Sequence, residues 1–114
     1  MGIKYSGGAD VGITEYHIMP REEATTIEQP CVDMAIDAGW LHRKLDVGPG
    51  GKGWLDQIFI GPNGRLFFAE FKTTTGGLSP KQEKTVKNLL DYGHKVYIVR
   101  SVESFKALLE INKG

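Results

Sequence analysis

The sequence predicts an α/β domain in which a mixed central sheet is flanked by helices, in the order helix, three strands, helix, strand, helix. Three observations carry this. Two runs rich in Ile, Phe and Leu, Trp54 to Ile60 and Arg65 to Thr73, are separated by Gly61-Pro62-Asn63-Gly64, the signature of a hairpin. Ser79-Pro80-Lys81-Gln82 spells a helix start with a reciprocal cap. Apolar residues recur at helical spacing near residues 31 to 38 and again near 102 to 109. With 114 residues, 40% of them hydrophobic and 25% charged, the chain is one domain able to bury a core, outside the composition of disordered chains. No apolar run approaches the roughly 20 residues that cross a bilayer, and Met1 to Thr14 is too polar for a signal peptide, so a cytoplasmic chain without membrane contact is expected. Cys31 is the one cysteine, and no Cys or His spacing resembles a zinc site.

Taken in order, residues 1–24 contain four glycines and neither apolar period, and read as an N-terminal arm ahead of a single domain over 25–114. The first helix is expected from about Thr26 to Ala38, with Cys31, Val32, Ala35, Ile36 and Ala38 as its apolar residues and Gly39 as its stop. Pro30 then belongs in its first turn, where a missing N–H costs nothing, which places Glu28 at the amino end. Trp40 to Val47 is the first strand, and Gly48 to Gly53 a flexible loop, either backbone facing a ligand or a plain linker.

The hairpin fixes a register. In a three-residue loop Gly64 takes the left-handed position, Gly61 pairs with Arg65, and paired numbers sum to 126. Asp56 therefore lies opposite Glu70, with Lys72 on the same face. The second helix runs from the Ser79 cap to about Tyr92, with Val86, Leu89 and Leu90 inward. Lys81, Lys84 and Lys87 line another face, either tracking phosphates or simply solvated. Val96 to Val99 reads as a short buried strand, and Ser101 caps a last helix packed through Val102, Phe105, Leu108 and Leu109.

Two acids facing each other across a pair of strands repel unless they share a proton, meet cations or sit at a wet strand end. A divalent cation resolves the conflict, since Mg²⁺ takes carboxylate and water oxygens and often only one or two protein carboxylates. A lysine alongside suits the stabilisation of charge on a phosphoryl group. Taken alone, Glu70 and Lys72 are an ordinary surface ion pair worth under about 1 kcal/mol. Joined with Asp56 in register, Glu28 and the capped helix, they point to a nuclease centre.

The set Glu28, Gly53 to Asp56, Glu70-Phe71-Lys72 and Ser79-Pro80-Lys81-Gln82 resembles the virus-type replication-repair nucleases (VRR-NUC), a branch of the PD-(D/E)XK superfamily, over about residues 26 to 109. One position departs: the family usually has Pro before the Asp, where this chain has Leu55. The resemblance implies a restriction-endonuclease-like PD-(D/E)XK core and a Mg²⁺- or Mn²⁺-dependent DNA endonuclease. It makes Asp56, Glu70 and the Phe71 backbone carbonyl the metal ligands. Glu28 would complete or orient that shell, Lys72 would position the attacking water, and Gln82 would support from the second helix. Free-standing relatives act on branched DNA, which implies a Holliday-junction resolvase of phage or prophage type. Two symmetric cuts then require a homodimer. Lys44, Lys52, Ser79, Lys81, Lys84 and Lys87 are the candidate DNA contacts; Lys44 reads equally as a solvated strand-end lysine. The alternative is a non-catalytic DNA-binding module that keeps the fold.

Charge alone leaves the partner open. The formal net charge is zero, unlike most nucleic-acid-binding domains, yet residues 1–38 hold two basic residues against seven acidic and residues 39–100 hold ten against five. Gly51-Lys52 is not a P-loop, because Gly53 stands where Ser or Thr must ligate Mg²⁺ and Asp46 replaces the first glycine. His17, His42 and His94 read as structural or exposed, Cys31 as a small core residue, and Trp40 and Trp54 as core anchors rather than base-stacking platforms.

Overall fold

The computed structural model describes residues 20–72 and 76–113, with side chains of the first helix from residue 26 onward. Of the expected arm only residues 20–24 are covered; residues 1–19 with His17, and Thr73 at the expected end of the third strand, lie outside the described residues. The elements are α1 (Pro20–Asp37), β1 (Leu41–Lys44), β2 (Gln57–Ile60), β3 (Leu66–Phe71), α2 (Pro80–Asp91), β4 (Lys95–Val99) and α3 (Val102–Ile111). The sheet runs β1-β2-β3-β4, antiparallel through β3 and parallel between β3 and β4. The parallel pair needs a crossover, which α2 supplies.

The β2–β3 hairpin adopts the expected register: Ile58 pairs with Phe68 and Ile60 with Leu66. The Gly61 N–H donates to the Arg65 carbonyl at 2.6 Å, and Gly64 has the left-handed φ of +83° that the three-residue loop demands. Because side chains alternate, the sheet presents two different faces. Phe59, Phe67, Ala69, Phe71 and Val99 meet Cys31, Val32 and Ala35 of α1 and Phe105, Leu108 and Leu109 of α3 in the main core. The rings of Phe59 and Phe67 stack at 5.2 Å, and Phe105 lies 5.3 Å from Phe59. On the other face Phe68, Ile58, Leu66 and Val96 pack with Leu55 and with Val86 and Leu89 of α2. Burial pushes the Cys31 thiol up to about 12, with Glu28 adding to the effect, so Cys31 is an inert core residue.

Four expectations need correction. The first helix begins at Pro20, not near Thr26, so Pro30 lies inside it and Glu28 sits mid-helix. Pro20 suits a first turn, and the packing of Cys31, Val32 and Ala35 carries the helix past the hydrogen bond that Pro30 lacks. Trp40 precedes β1: its N–H returns to the Ala35 carbonyl at 2.9 Å, closing the helix, and its ring is buried against Phe67. β4 is an edge strand, so only Val99 of it is fully buried. Leu90 is 54% exposed, one position past the stripe of α2 that faces the sheet. No helix among the described residues is long and apolar enough to cross a membrane.

Pro30 supplies a test of the longer helix. An interior proline costs about 3 kcal/mol relative to a good helix former. Pro30→Ala is therefore expected to raise the urea midpoint, by about 1 to 3 kcal/mol of stability, whereas a proline in a first turn would give no gain.

Candidate active site

The site grows from a fork in the sheet. The β2–β3 ladder ends at Gln57 and Ala69, while β3 continues to Phe71 along β4. Beyond the last pair, Asp56 takes over from the ladder. Its Oδ2 accepts the Phe71 N–H at 2.7 Å, and its own N–H donates to Glu70 Oε1 at 3.0 Å. A carboxylate thus stands where a strand carbonyl would, and each acid is held by the other's strand. In an extended strand the N–H and C=O of one residue point to the same edge, so the Phe71 carbonyl opens toward the same gap.

Glu70 is 4% exposed and has three donors. Besides the Asp56 N–H, Gln82 Nε2 donates to its Oε2 at 3.0 Å and Lys72 Nζ lies 3.2 Å from the same oxygen. Gln82 is fixed by the capping box: its Oε1 accepts the Ser79 N–H at 3.0 Å while Ser79 Oγ accepts the Gln82 N–H at 3.1 Å. The remaining amide hydrogen reaches the Trp54 carbonyl at 3.2 Å. The cap that starts α2 therefore also locates a buried acid and the loop before β2.

The other half of the site comes from α1 and the edge of the sheet. Glu28 Oε2 accepts from Gln57 Nε2 at 2.8 Å and from Lys44 Nζ at 2.9 Å. Lys44 also pairs with Asp46 at 3.4 Å, and Gln57 Oε1 meets His42 Nδ1 at 2.8 Å. Asp46 is held close by Gly51: a Cβ there would sit 2.6 Å from the Asp46 carbonyl carbon, so only glycine lets the loop close over Asp46.

These acids share one electrostatic problem. Burial pushes the Asp56 carboxyl up to about 8, reinforced by a hydrogen bond with the Asp46 carboxyl and by the charges of Glu70 and Glu28; the Phe71 N–H opposes the shift without cancelling it. Two carboxyl groups bonded to each other need a proton between them. Partial burial draws the Lys44 ammonium down, but Glu28, Asp46 and Asp56 outweigh it and hold Lys44 above its ordinary value. The site carries more negative charge than its lysines offset.

Among solved structures, one described as a VRR_NUC domain superposes with a TM-score of 0.69 at 25% identity, over 77% of this chain and 95% of that one. The chain has the VRR-NUC fold. No family model and no curated protein matches the sequence. Leu55, the one departure from the resembled pattern, is fully buried in the core on the α2 side.

The structure brings Asp56, Glu70, Lys72, Phe71 and Gln82 together directly. Glu28 joins them through Lys44 and Gln57 and by its charge on Asp56. Lys44 stands exposed at the end of β1 and pairs with two carboxylates of this acidic cluster. Lys52 and Ser79 line an open depression of about 450 Å³ beside it. Lys81, Lys84 and Lys87 are exposed along α2, and Lys87 is paired with Asp91 at 2.9 Å. Three residues were not foreseen: Asp46, Gln57 and His42. The pairing of Lys44 with Gln57 across β1 and β2 would have found the last two, but no turn in the sequence sets that register. Among the described residues no three His, Cys, Asp or Glu side chains form a closed cage for a metal ion. Asp56 and Glu70 with the Phe71 carbonyl are the donors that could hold a hard cation open to water.

The Asp56 carboxyl gives a pH dependence. Its folded-state value lies above the value of about 4 in the unfolded chain, so the folded state keeps a proton that the unfolded state has lost. That contribution to stability is complete below about pH 4 and disappears as the pH rises toward about 8. In a chelator the parent should lose melting temperature across this window. Asp56→Asn, which keeps an acceptor for Phe71 and a donor for Asp46, should lose less and be the more stable protein at pH 8; identical profiles would contradict the assignment.

Proposed function

We propose that this chain is a divalent-metal-dependent DNA endonuclease that hydrolyses phosphodiester bonds, acting on branched DNA of the Holliday-junction type as a homodimer. The observation that carries the proposal is the Asp56–Glu70 fork, two carboxyl groups held together by backbone hydrogen bonds with Lys72 on one of them, in a domain of VRR-NUC fold. The donor chemistry fits Mg²⁺ or Mn²⁺. It consists of oxygen ligands only, the two carboxylates leave positions for water and phosphate, and Asp56, raised first by burial and further by its acidic neighbours, has a charge that a dication would stabilise.

When bound, the dication would lower the pKa of a water molecule and withdraw charge from the phosphoryl oxygens. The chain's own groups do the rest. Gln82 and the Asp56 N–H fix both oxygens of Glu70, so that carboxylate presents one geometry. Lys72, tethered at Glu70 Oε2, holds a donor where the attacking water and the charge of the pentavalent phosphorus can both be met. Gln57 and Lys44 keep Glu28 turned toward the Asp56 side of the sheet. Lys52, Ser79, Lys81 and Lys84, around the start of α2, are the proposed contacts to DNA phosphates. One site of this size makes one cut, and paired cuts across a symmetric junction call for a two-fold dimer.

The deciding experiment compares four-way, flapped, linear duplex and single-stranded DNA with Mg²⁺, for the parent and for Asp56→Ala, Glu70→Ala and Lys72→Ala, with light scattering on the junction complex. The parent should cut branched DNA as a dimer. The two acid variants should lose cleavage and still bind junctions, and Lys72→Ala should cut about a hundredfold or more slowly, the scale of losing one transition-state donor. Near-parental cleavage by either acid variant would place the chemistry elsewhere, and junction binding without cleavage by the parent would leave a DNA-binding module.

A further inference from the structure

Trp40 and Trp54 have opposite fates in the fold. Trp40 is buried, 5.3 Å from Phe67, and is a core anchor. Trp54 is 40% exposed, although it lies two residues before Asp56. It is not a loosely attached surface ring. Its N–H donates to the Gly51 carbonyl at 3.0 Å, and its carbonyl accepts from the same Gln82 amide that holds Glu70. The indole leans on Phe68 with ring centroids 6.4 Å apart. It also stands between two open hollows: the depression of about 450 Å³ shared with Asp46, Lys52, Ser79 and Gln82, and a second of about 280 Å³ shared with Leu45, Gly50 and Phe68.

From this placement we infer that Trp54 is a stacking platform for a nucleobase displaced from its helix, next to the phosphate that is cut. The inference rests on the nuclease reading and deepens it by naming what the site recognises. An indole held by its backbone, with space beside its ring and a lysine two residues away, matches what single-stranded nucleic acids require: an aromatic face for the base and a cation for the phosphate. Bases within a duplex already stack on their neighbours, so only a base freed at a branch, a flap or a single strand can reach the indole without unstacking. Trp54 therefore favours branched over linear DNA through base stacking, a preference the Asp56–Glu70 fork cannot supply because every phosphodiester looks alike to it.

The test is binding in a chelator, where nothing is cut, read by intrinsic fluorescence and by affinity on single-stranded, flapped, four-way and linear duplex DNA. Branched and single-stranded DNA should quench the emission that Trp54→Phe removes. Trp54→Phe should keep affinity within about threefold, and Trp54→Ala should lose roughly 5- to 160-fold on those substrates, the range of one base stacked on one aromatic ring, with linear duplex nearly unchanged. Equal losses on linear duplex would mean a backbone contact and overturn the inference, as would an Ala variant of parental melting temperature with parental affinity throughout. If the parent cuts branched DNA with Mg²⁺ while Trp54 stays silent, the nuclease reading stands and this one falls. If no DNA binds at all, both fall.

Discussion

The hydrogen bond from the Phe71 N–H to Asp56 Oδ2 is the contact on which the site depends. β3 has to serve two partners, β2 for part of its length and β4 to its end, and where β2 turns away a backbone donor is left facing inward. A buried N–H without an acceptor is costly, and the side-chain oxygen of Asp56 supplies one. Asp56 thereby enters the interior as part of the sheet's own hydrogen bonding, and Glu70 follows through the Asp56 N–H. The two acids are not an addition to a finished fold, because the fork would be unsatisfied without them.

From that contact the structure spreads in two directions. On the α2 side, the cap of a helix is reused to hold a carboxylate: Gln82 serves Ser79, Glu70 and Trp54 with a single amide group. On the α1 side, Gln57 and Lys44 hold Glu28, and Asp46 comes in beneath the glycine loop to hydrogen-bond Asp56. The core of Phe59, Phe67, Phe71 and Phe105 is apolar and lies on the sheet face turned to α1 and α3.

How much of this was legible follows the range of the signals. The hairpin register and the Ser79 cap are set by residues within four positions of one another, and both are found as the sequence predicts, which is why Asp56, Glu70 and Lys72 gather as the spacing indicates, whereas the approach of Gln82 to Glu70 was implied by the family resemblance alone. The partnership of β1 with β2 crosses an irregular loop from Leu45 to Asp56, where no turn type fixes the count, so Gln57 was invisible as a partner of Glu28 and His42 as a partner of Gln57. Asp46 fell inside the expected strand Trp40 to Val47, and only the close approach of Gly51 shows where the loop closes over it. Pro30 misled because local rules place a proline in a first turn, while the packing of the residues after it decides where the helix runs. Trp54 was read as a core residue on composition alone, and only its exposure separates it from Trp40.

Calorimetric titration of the protein with Mn²⁺ between pH 5 and 9, in buffers of different ionisation heat, tests whether a divalent cation neutralises the fork of Asp56 and Glu70. Binding should tighten as the pH rises toward about 8 and release up to one proton per site below that value, because Asp56 must give up its proton to become a ligand. Binding should be lost in Glu70→Ala. No Mn²⁺ binding at any pH, or binding that is indifferent both to pH and to the loss of Glu70, would contradict the account.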